Sequence, residues 1–266
     1  MTNERPATLA RLVIRVGTES LSFATTQHER VVYENYPLNS GISQAANLRE
    51  ALNSVDILGD DYLRVLVMVD APVLMVPAEL FNEQEAETLY HHAITPREHT
   101  VVKWTVLPDL NSVAIFAVNK DLTVVLADRF HDLRYTHVAA PVWRHLHQRS
   151  YTGPHLKMYG YCHDRCMEVF SFADEHFKFY NQFMVNNSND ALYYLLSSWK
   201  QLGLVPEHDE LYLAGTLPDS EGMTEEARKF IKRVFVINPS GEFNRAAITQ
   251  IEGIPYDVVT LFIKGR

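Results

Sequence analysis

Cysteine is nearly missing from this chain: its 266 residues hold two, Cys162 and Cys166. Two thiols this close make no disulfide framework, so the chain is expected to be reduced. Long apolar runs are missing too. Runs such as Val65 to Val69 fall far short of the ~20 residues a spanning helix needs. The opening Met1 to Pro6 has no apolar stretch of the kind a secretory signal carries. There is no run of lysine and arginine. A net charge of -9 and an isoelectric point near 5.7 argue against a binder of nucleic-acid backbone, which needs a basic face to displace counterions. The Gly-x-x-x-x-Gly-Lys loop, the Gly-x-Ser-x-Gly elbow and the dinucleotide-binding glycine fingerprint are all absent. These absences point to a cytoplasmic protein with no membrane insertion and no nucleic-acid partner.

What is present is material for a core. Hydrophobic residues make up 47% and charged residues 21%, enough for one large domain or two modest ones. Leu12, Ile14 and Val16 alternate with Arg11 and Arg15 as a strand. Gly17 to Ser20 turns the chain, and Leu21 to Ala24 and Arg30 to Tyr36 follow as two more strands. Ser43 is placed to cap a helix carrying Ala45, Leu48, Leu52 and Val55. Arg64 to Val69 then forms a buried strand ending at Asp70-Ala71-Pro72.

The pattern changes over residues 77–130, which read as an inserted small subdomain in the first half (residues 1–150). A helix from about Glu83 to His92 stops before Pro96. Three strand-like runs follow, Val101 to Val106, Ser112 to Val118 and Leu122 to Ala127, the last two as a hairpin. Pro141 opens a helix that ends near Thr152-Gly153-Pro154.

The second half (residues 151–266) repeats the opening phrase. Leu156 to Tyr161, Cys166 to Phe172 and Phe177 to Val185 are three strands of a meander. Ser188 is expected to cap a helix bearing Leu192, Leu195, Leu196, Trp199 and Leu202, closed by Gly203. Leu211 to Gly215 is a fourth strand, Thr224 is expected to cap a further helix, and Phe235 to Ile237 is a last strand. Asp257 to Ile263 reads equally as a helix opening at Pro255 or as a buried strand.

Strand, strand, strand, helix, strand, twice over with an insertion, resembles the actin-like ATPase superfamily, an α/β fold with mixed sheets that shares its core topology with RNase H. More narrowly, the chain is similar to an uncharacterised bacterial family with a degenerate version of that fold, and to the cell-division and pilus or type II secretion assembly relatives of actin. The resemblance implies a duplicated, two-lobed architecture in which one hairpin turn from each half cradles the phosphates of ATP through backbone amides. The first turn of the superfamily begins Asp-x-Gly-Thr, and this chain has Arg15-Val16-Gly17-Thr18. The second turn of the superfamily also carries Asp-x-Gly; its candidate here is Met158-Tyr159-Gly160 or the later turn with Asp164, and neither supplies the motif. The adenosine strand normally ends in Gly-Gly, and here it ends Leu213-Ala214-Gly215. Gly17, Thr18, Gly160 and Gly215 are therefore the vestigial nucleotide positions. Replacing the carboxylates removes the groups that would organise magnesium and an attacking water.

The resemblance thus implies a non-catalytic scaffold with a protein partner, no catalytic residues, no metal and no required cofactor, with a homo-oligomer also open. The alternative is an enzyme that binds ATP and magnesium, a kinase or ATPase with displaced carboxylates at Asp70 and Asp164. A nuclease of the RNase H type would need an aspartate where Arg15 stands. Cys162, His163 and Cys166 are too few for a structural zinc site. The pairs His91-His92 and His145-x-His147 diverge around a helix and are expected to be solvated or half-buried. The alternating Phe170, Phe172, Phe177, Phe179 and Phe183 read as sheet packing.

Overall fold

The computed structural model describes residues 11–95 and 98–265. The opening segment Met1 to Pro6 and the expected helix stop at Pro96 lie outside them. The described chain divides into two compact units. Unit 1 takes residues up to Leu74, Asn82–Thr105 and Ile115–Val138; unit 2 takes Met75–Phe81, Val106–Ala114 and the chain from Ala139 onward.

Unit 1 is built on a mixed sheet. β1 (Leu12–Val16), β2 (Ser20–Gln27) and β3 (Arg30–Pro37) form an antiparallel meander. Helix α1 (Gln44–Ser54) then crosses over to β4 (Val65–Val69), which lies parallel to β1 with Leu12 opposite Val65 and Val16 opposite Val69. Ser43 caps α1 as expected, its hydroxyl accepting the Ala46 N–H at 3.2 Å. The buried Asn47 ties the preceding loop down by donating to the carbonyls of Asn39 at 3.0 Å and Ser43 at 3.1 Å. All five β1 residues are buried, as expected of a central strand covered on both faces, and Arg15 is among them at 3% exposure.

After β5 (Val73–Pro77) and α2 (Ala86–Ala93) come β6 (Thr100–Leu107) and β7 (Ser112–Asn119), forming a second sheet in the order β5-β7-β6. The run Leu122 to Ala127 is not a strand. It lies in helix α3 (Lys120–Arg129), so the expected hairpin with Ser112 to Val118 does not form. The cause is local: the Asn119 side chain accepts the Leu122 N–H at 2.9 Å and starts a helix, and Leu122, Val125 and Leu126 then fall on one buried face. α1 and α3 pack together. β8 (Leu133–His137), which the pattern did not announce, adds to β4 in parallel and completes the order β3-β2-β1-β4-β8.

Unit 2 repeats that order. Helix α4 (Ala140–Ser150) precedes the meander β9 (Lys157–His163), β10 (Cys166–Ala173) and β11 (His176–Met184). Helix α5 (Ser188–Gln201) crosses to β12 (Glu210–Gly215), parallel to β9, and α6 (Ser220–Arg228) leads to β13 (Arg233–Val236). The sheet order is β11-β10-β9-β12-β13. Asn187 caps α5 rather than Ser188, its side chain accepting the Asp190 N–H at 3.0 Å, and Asp219 rather than Thr224 caps α6. Gly203 follows α5 with φ +65°, the left-handed stop that the sequence announces. The ambiguous tail is helical: the one-turn α7 (Pro239–Glu242) and then α8 (Tyr256–Lys264), which opens after Pro255 and packs on α4.

Helix α5 sits close to its sheet because Gly160 has no side chain. A Cβ there would lie 3.0 Å from a Leu195 methyl and 3.1 Å from a Leu213 methyl. Gly215 is more tightly constrained: φ is +84°, and a Cβ would lie 2.1 Å from the Cys162 carbonyl oxygen. Gly160→Ala should therefore cost roughly 1–2 kcal/mol by overpacking, and Gly215→Ala roughly 2–4 kcal/mol by clash and backbone strain together. Urea unfolding of the two variants checks the ranking, which fails if Gly160→Ala is the worse.

Candidate functional site

In unit 1 the carboxyl ends of the parallel β1 and β4 adjoin a cavity of about 240 Å³. Open α/β sheets place their ligands at such strand ends. The cavity is lined by Gly17 and Thr18 from the β1–β2 turn, Gln44 from the start of α1, Asp70 after β4, and Tyr90 and Glu98 from the segment beyond. The backbone fixes this arrangement. The Asp70 N–H donates to the Val16 carbonyl at 2.9 Å, the Gly17 N–H donates to the Ser20 carbonyl at 3.0 Å, and the Gln44 side-chain amide donates to the Gly17 carbonyl at 3.1 Å. Tyr90 is anchored by its hydroxyl, which donates to the Pro72 carbonyl at 2.9 Å.

Two chemical consequences follow. The Gly17 N–H is already spent on its own turn, so it is not offered to an anion. Among the described residues the charged groups lining the cavity are Asp70 and Glu98, both carboxylates. At about 240 Å³ the cavity is also below the ~300–1,000 Å³ of ordinary small-molecule pockets. Gly17, Thr18 and Asp70 are thus brought together.

In unit 2 the β9–β10 turn is Asp164-Arg165, both left-handed with φ 43° and 61°, between the paired His163 and Cys166. This is the two-residue hairpin geometry that matches strand twist. Arg165 is engaged on both sides: its guanidinium donates to the Asn186 side chain at 2.6 Å, and its carbonyl accepts the Val185 N–H at 2.9 Å. Gly215, at the end of β12, lies opposite Cys162, and the next amide, Thr216 N–H, donates to the Cys162 carbonyl at 2.9 Å. Gly215 is therefore near the Asp164 turn. Gly160 is not: it lies mid-strand under Leu195 of α5, on the core side.

The sequence reading missed a buried polar cluster behind that turn. Glu168 is 0% exposed, and its two carboxyl oxygens accept from Trp143 Nε1 at 2.7 Å and from His163 Nε2 at 3.0 Å. With Nε2 donating, the His163 Nδ1 side faces Asp164 at 3.6 Å. Nearby, the Tyr161 hydroxyl donates to the buried Asp257 at 2.8 Å. The available signal was a lone acidic residue inside the apolar run Cys166 to Phe172. His145 and His147, expected to be solvated or half-buried, are instead buried: His145 Nε2 bonds Glu242 at 2.9 Å, and His147 Nε2 bonds the Asp174 carbonyl at 2.9 Å. Cys162 and Cys166 are buried and form no disulfide, lying diagonal across the β9–β10 pair, and burial pushes the Cys162 thiol up to about 12. The phenylalanine alternation is packing, with Phe172 and Phe177 rings 4.8 Å apart and Phe177 edge-on to Trp143.

Repeated mixed sheets of this order, each with a crossover helix between its parallel strands, define the actin-like ATPase fold. A crystal structure of a Bacteroides thetaiotaomicron VPI-5482 protein with actin-like ATPase fold and unknown function is similar at 30% identity, covering 95% of this chain and 100% of that one, with a TM-score of 0.82. The PilM–PilN type IV pilus biogenesis complex is similar in fold at 11% identity, covering 97% of this chain and 99% of the PilM–PilN chain, with a TM-score of 0.62. The profile of a protein family of unknown function, DUF3822, matches residues 3–234, and the chain belongs to that family. No curated protein matches the sequence.

The Glu168 cluster gives a direct test. Trp143→Phe keeps most of the ring and deletes the donor to Glu168, so it should lower the unfolding free energy by about 2 kcal/mol, as for a lost bond to an acidic acceptor. Urea titration with near-ultraviolet dichroism checks it, and an unchanged midpoint would show that the bond contributes nothing.

Proposed function

We propose that this chain is a non-catalytic protein of the actin-like fold, a cytoplasmic scaffold that presents its surfaces to a protein partner. The observation that carries the reading is Arg15. It is 3% exposed in the central strand of unit 1, where the superfamily places the carboxylate that organises magnesium. The surroundings support the same reading, because the Gly17 amide is occupied by its own turn and the charged residues that line the adjacent cavity are the carboxylates Asp70 and Glu98. An arginine in place of the metal-organising carboxylate and an occupied turn amide do not fit a magnesium nucleotide. Among the described residues no helix is long and apolar enough to cross a membrane. PilM is seen in complex with PilN, which gives the fold a precedent as a partner of another protein.

The second reading, an ATP-binding kinase or ATPase, draws on one observation: Asp70 shares the cavity with Gly17 and Thr18. Asp164 in unit 2 would be its second displaced carboxylate. Calorimetric titration with ATP, with and without magnesium, together with a phosphate-release assay, separates the two readings. The expected outcome is no binding heat at millimolar ATP and no turnover. Magnesium-dependent binding with turnover that disappears in Asp70→Asn or Asp164→Asn would replace the scaffold with the enzyme.

A further inference from the structure

One carboxylate in unit 2 joins two chain segments, and the residue after it reaches a third. Glu242, at the end of α7, accepts from His145 Nε2 at 2.9 Å through one oxygen and from the Arg149 guanidinium through the other. Both partners lie on α4. The next residue, Phe243, is 6% exposed, with its ring 5.1 Å from His145 and 6.1 Å from Tyr256, the first residue of α8. α7 is therefore fastened to α4 by these side chains, and the start of α8, which also packs on α4 directly, meets them through Phe243.

The fastening is incomplete in a particular way. His145 is 8% exposed, and its second ring nitrogen, Nδ1, is buried with no hydrogen-bond partner; Arg149 Nε is buried likewise. A neutral ring that donates through Nε2 leaves only a lone pair at Nδ1. A protonated ring would place an N–H there with no acceptor, at a substantial desolvation cost. The charges facing His145 are Glu242 from α7, Arg149 from α4 and Lys264 from α8, so two cations oppose the added proton. The Arg149 guanidinium lies over the ring of Tyr212 on β12, 5.2 Å from its centroid, and the Tyr212 hydroxyl donates to Glu210 at 3.0 Å. The single favourable carboxylate is already shared with Arg149.

We propose that this cluster is an acid-sensitive clasp, in which protonation of His145 loosens α7 and the start of α8 from α4. Burial holds His145 below its ordinary value of 6.5, more than offsetting the hydrogen bond to Glu242. The clasped form thus excludes a proton that the loosened form accepts, and opening increases as pH falls through 6.5. Burial pushes Glu242 up, but Arg149 and then His145 outweigh it and leave the group lowered, so its hold is also lost on acidification, at lower pH. Both groups act in the same direction.

One proton on an otherwise ordinary histidine shifts an opening equilibrium by roughly 30-fold between pH 7.5 and 5.0. Hydrogen exchange read by mass spectrometry on the full chain, corrected for intrinsic exchange at each pH, measures it. Peptides spanning residues 239–264 should open up to roughly 30-fold more at pH 5.0, while those of β9, β10 and β12 stay protected. His145→Gln keeps an N–H donor for Glu242 but cannot titrate, and should flatten the rise to less than about 3-fold, the remainder coming from Glu242. A pH-independent opening, an equal rise in His145→Gln, or exchange of all unit 2 peptides together would overturn the clasp. If the variant does not fold, an NMR titration of the His145 ring in the native chain decides, and a native value at or above 6.5 overturns it.

Discussion

Parallel pairing between the first strand of a meander and the strand that follows its crossover helix determines much else in this chain. β1 lies beside β4 and β9 beside β12, each pair in register over at least four residues. An antiparallel hairpin can close on its neighbour with a two-residue turn, but a parallel partner must be reached over a helix. Once that helix is in place, both strands of the pair end at the same edge of the sheet. Gly17 and Asp70 are neighbours for that reason in unit 1, as are Gly215 and the Asp164 turn in unit 2. The chemistry available at each edge is then a matter of which residues happen to terminate the strands.

At those edges this protein has placed groups that satisfy one another. Gly17 and Arg165 are engaged by their own surroundings. One face of the unit 2 sheet, under α4 and α8, carries Lys157, Tyr159, Tyr161, Glu168, Glu210 and Tyr212, with Lys157 donating to the Thr152 carbonyl and Tyr159 bonding Ser150 at 3.0 Å. Such a polar interior gives little net stability compared with an apolar one, but it is costly to break in part, because each removed partner strands another buried group. It favours a single arrangement of α4 on the sheet.

The repeated element order was legible because each half opens with short alternating strands and then a helix with a clear cap and apolar face. Arg15 was legible as an anomaly because it interrupts an apolar strand at a motif position. The third helix was not legible, since Thr123-Val124-Val125 supplies β-branched residues that favour strands, and the deciding vote was the Asn119 cap together with burial of Leu122 and Leu126. β8 was missed because Leu133-Arg134-Tyr135-Thr136-His137 has little apolar alternation; it is a strand because β4 offers it an open parallel edge. The Glu168, Asp257 and Glu242 clusters each include a pair distant in sequence, 25 positions for Trp143 with Glu168 and 97 for His145 with Glu242. No local period encodes such pairs. Gly160 was assigned to a nucleotide turn by motif alone, although its neighbours in space, Leu195 and Leu213, give it a packing reason to be glycine.

That last position has a consequence for how the sequence can drift. The space beneath α5 is shared by the absent Gly160 side chain and the ends of two leucines, each closer to it than two methyl groups ordinarily sit. A larger residue at 160 becomes acceptable only alongside a smaller one at 195 or 213, and the order in which the changes arrive matters, because either one alone leaves a clash or a void. Across relatives, these three positions should trade volume as a group, with the sum held nearly constant while the identities change.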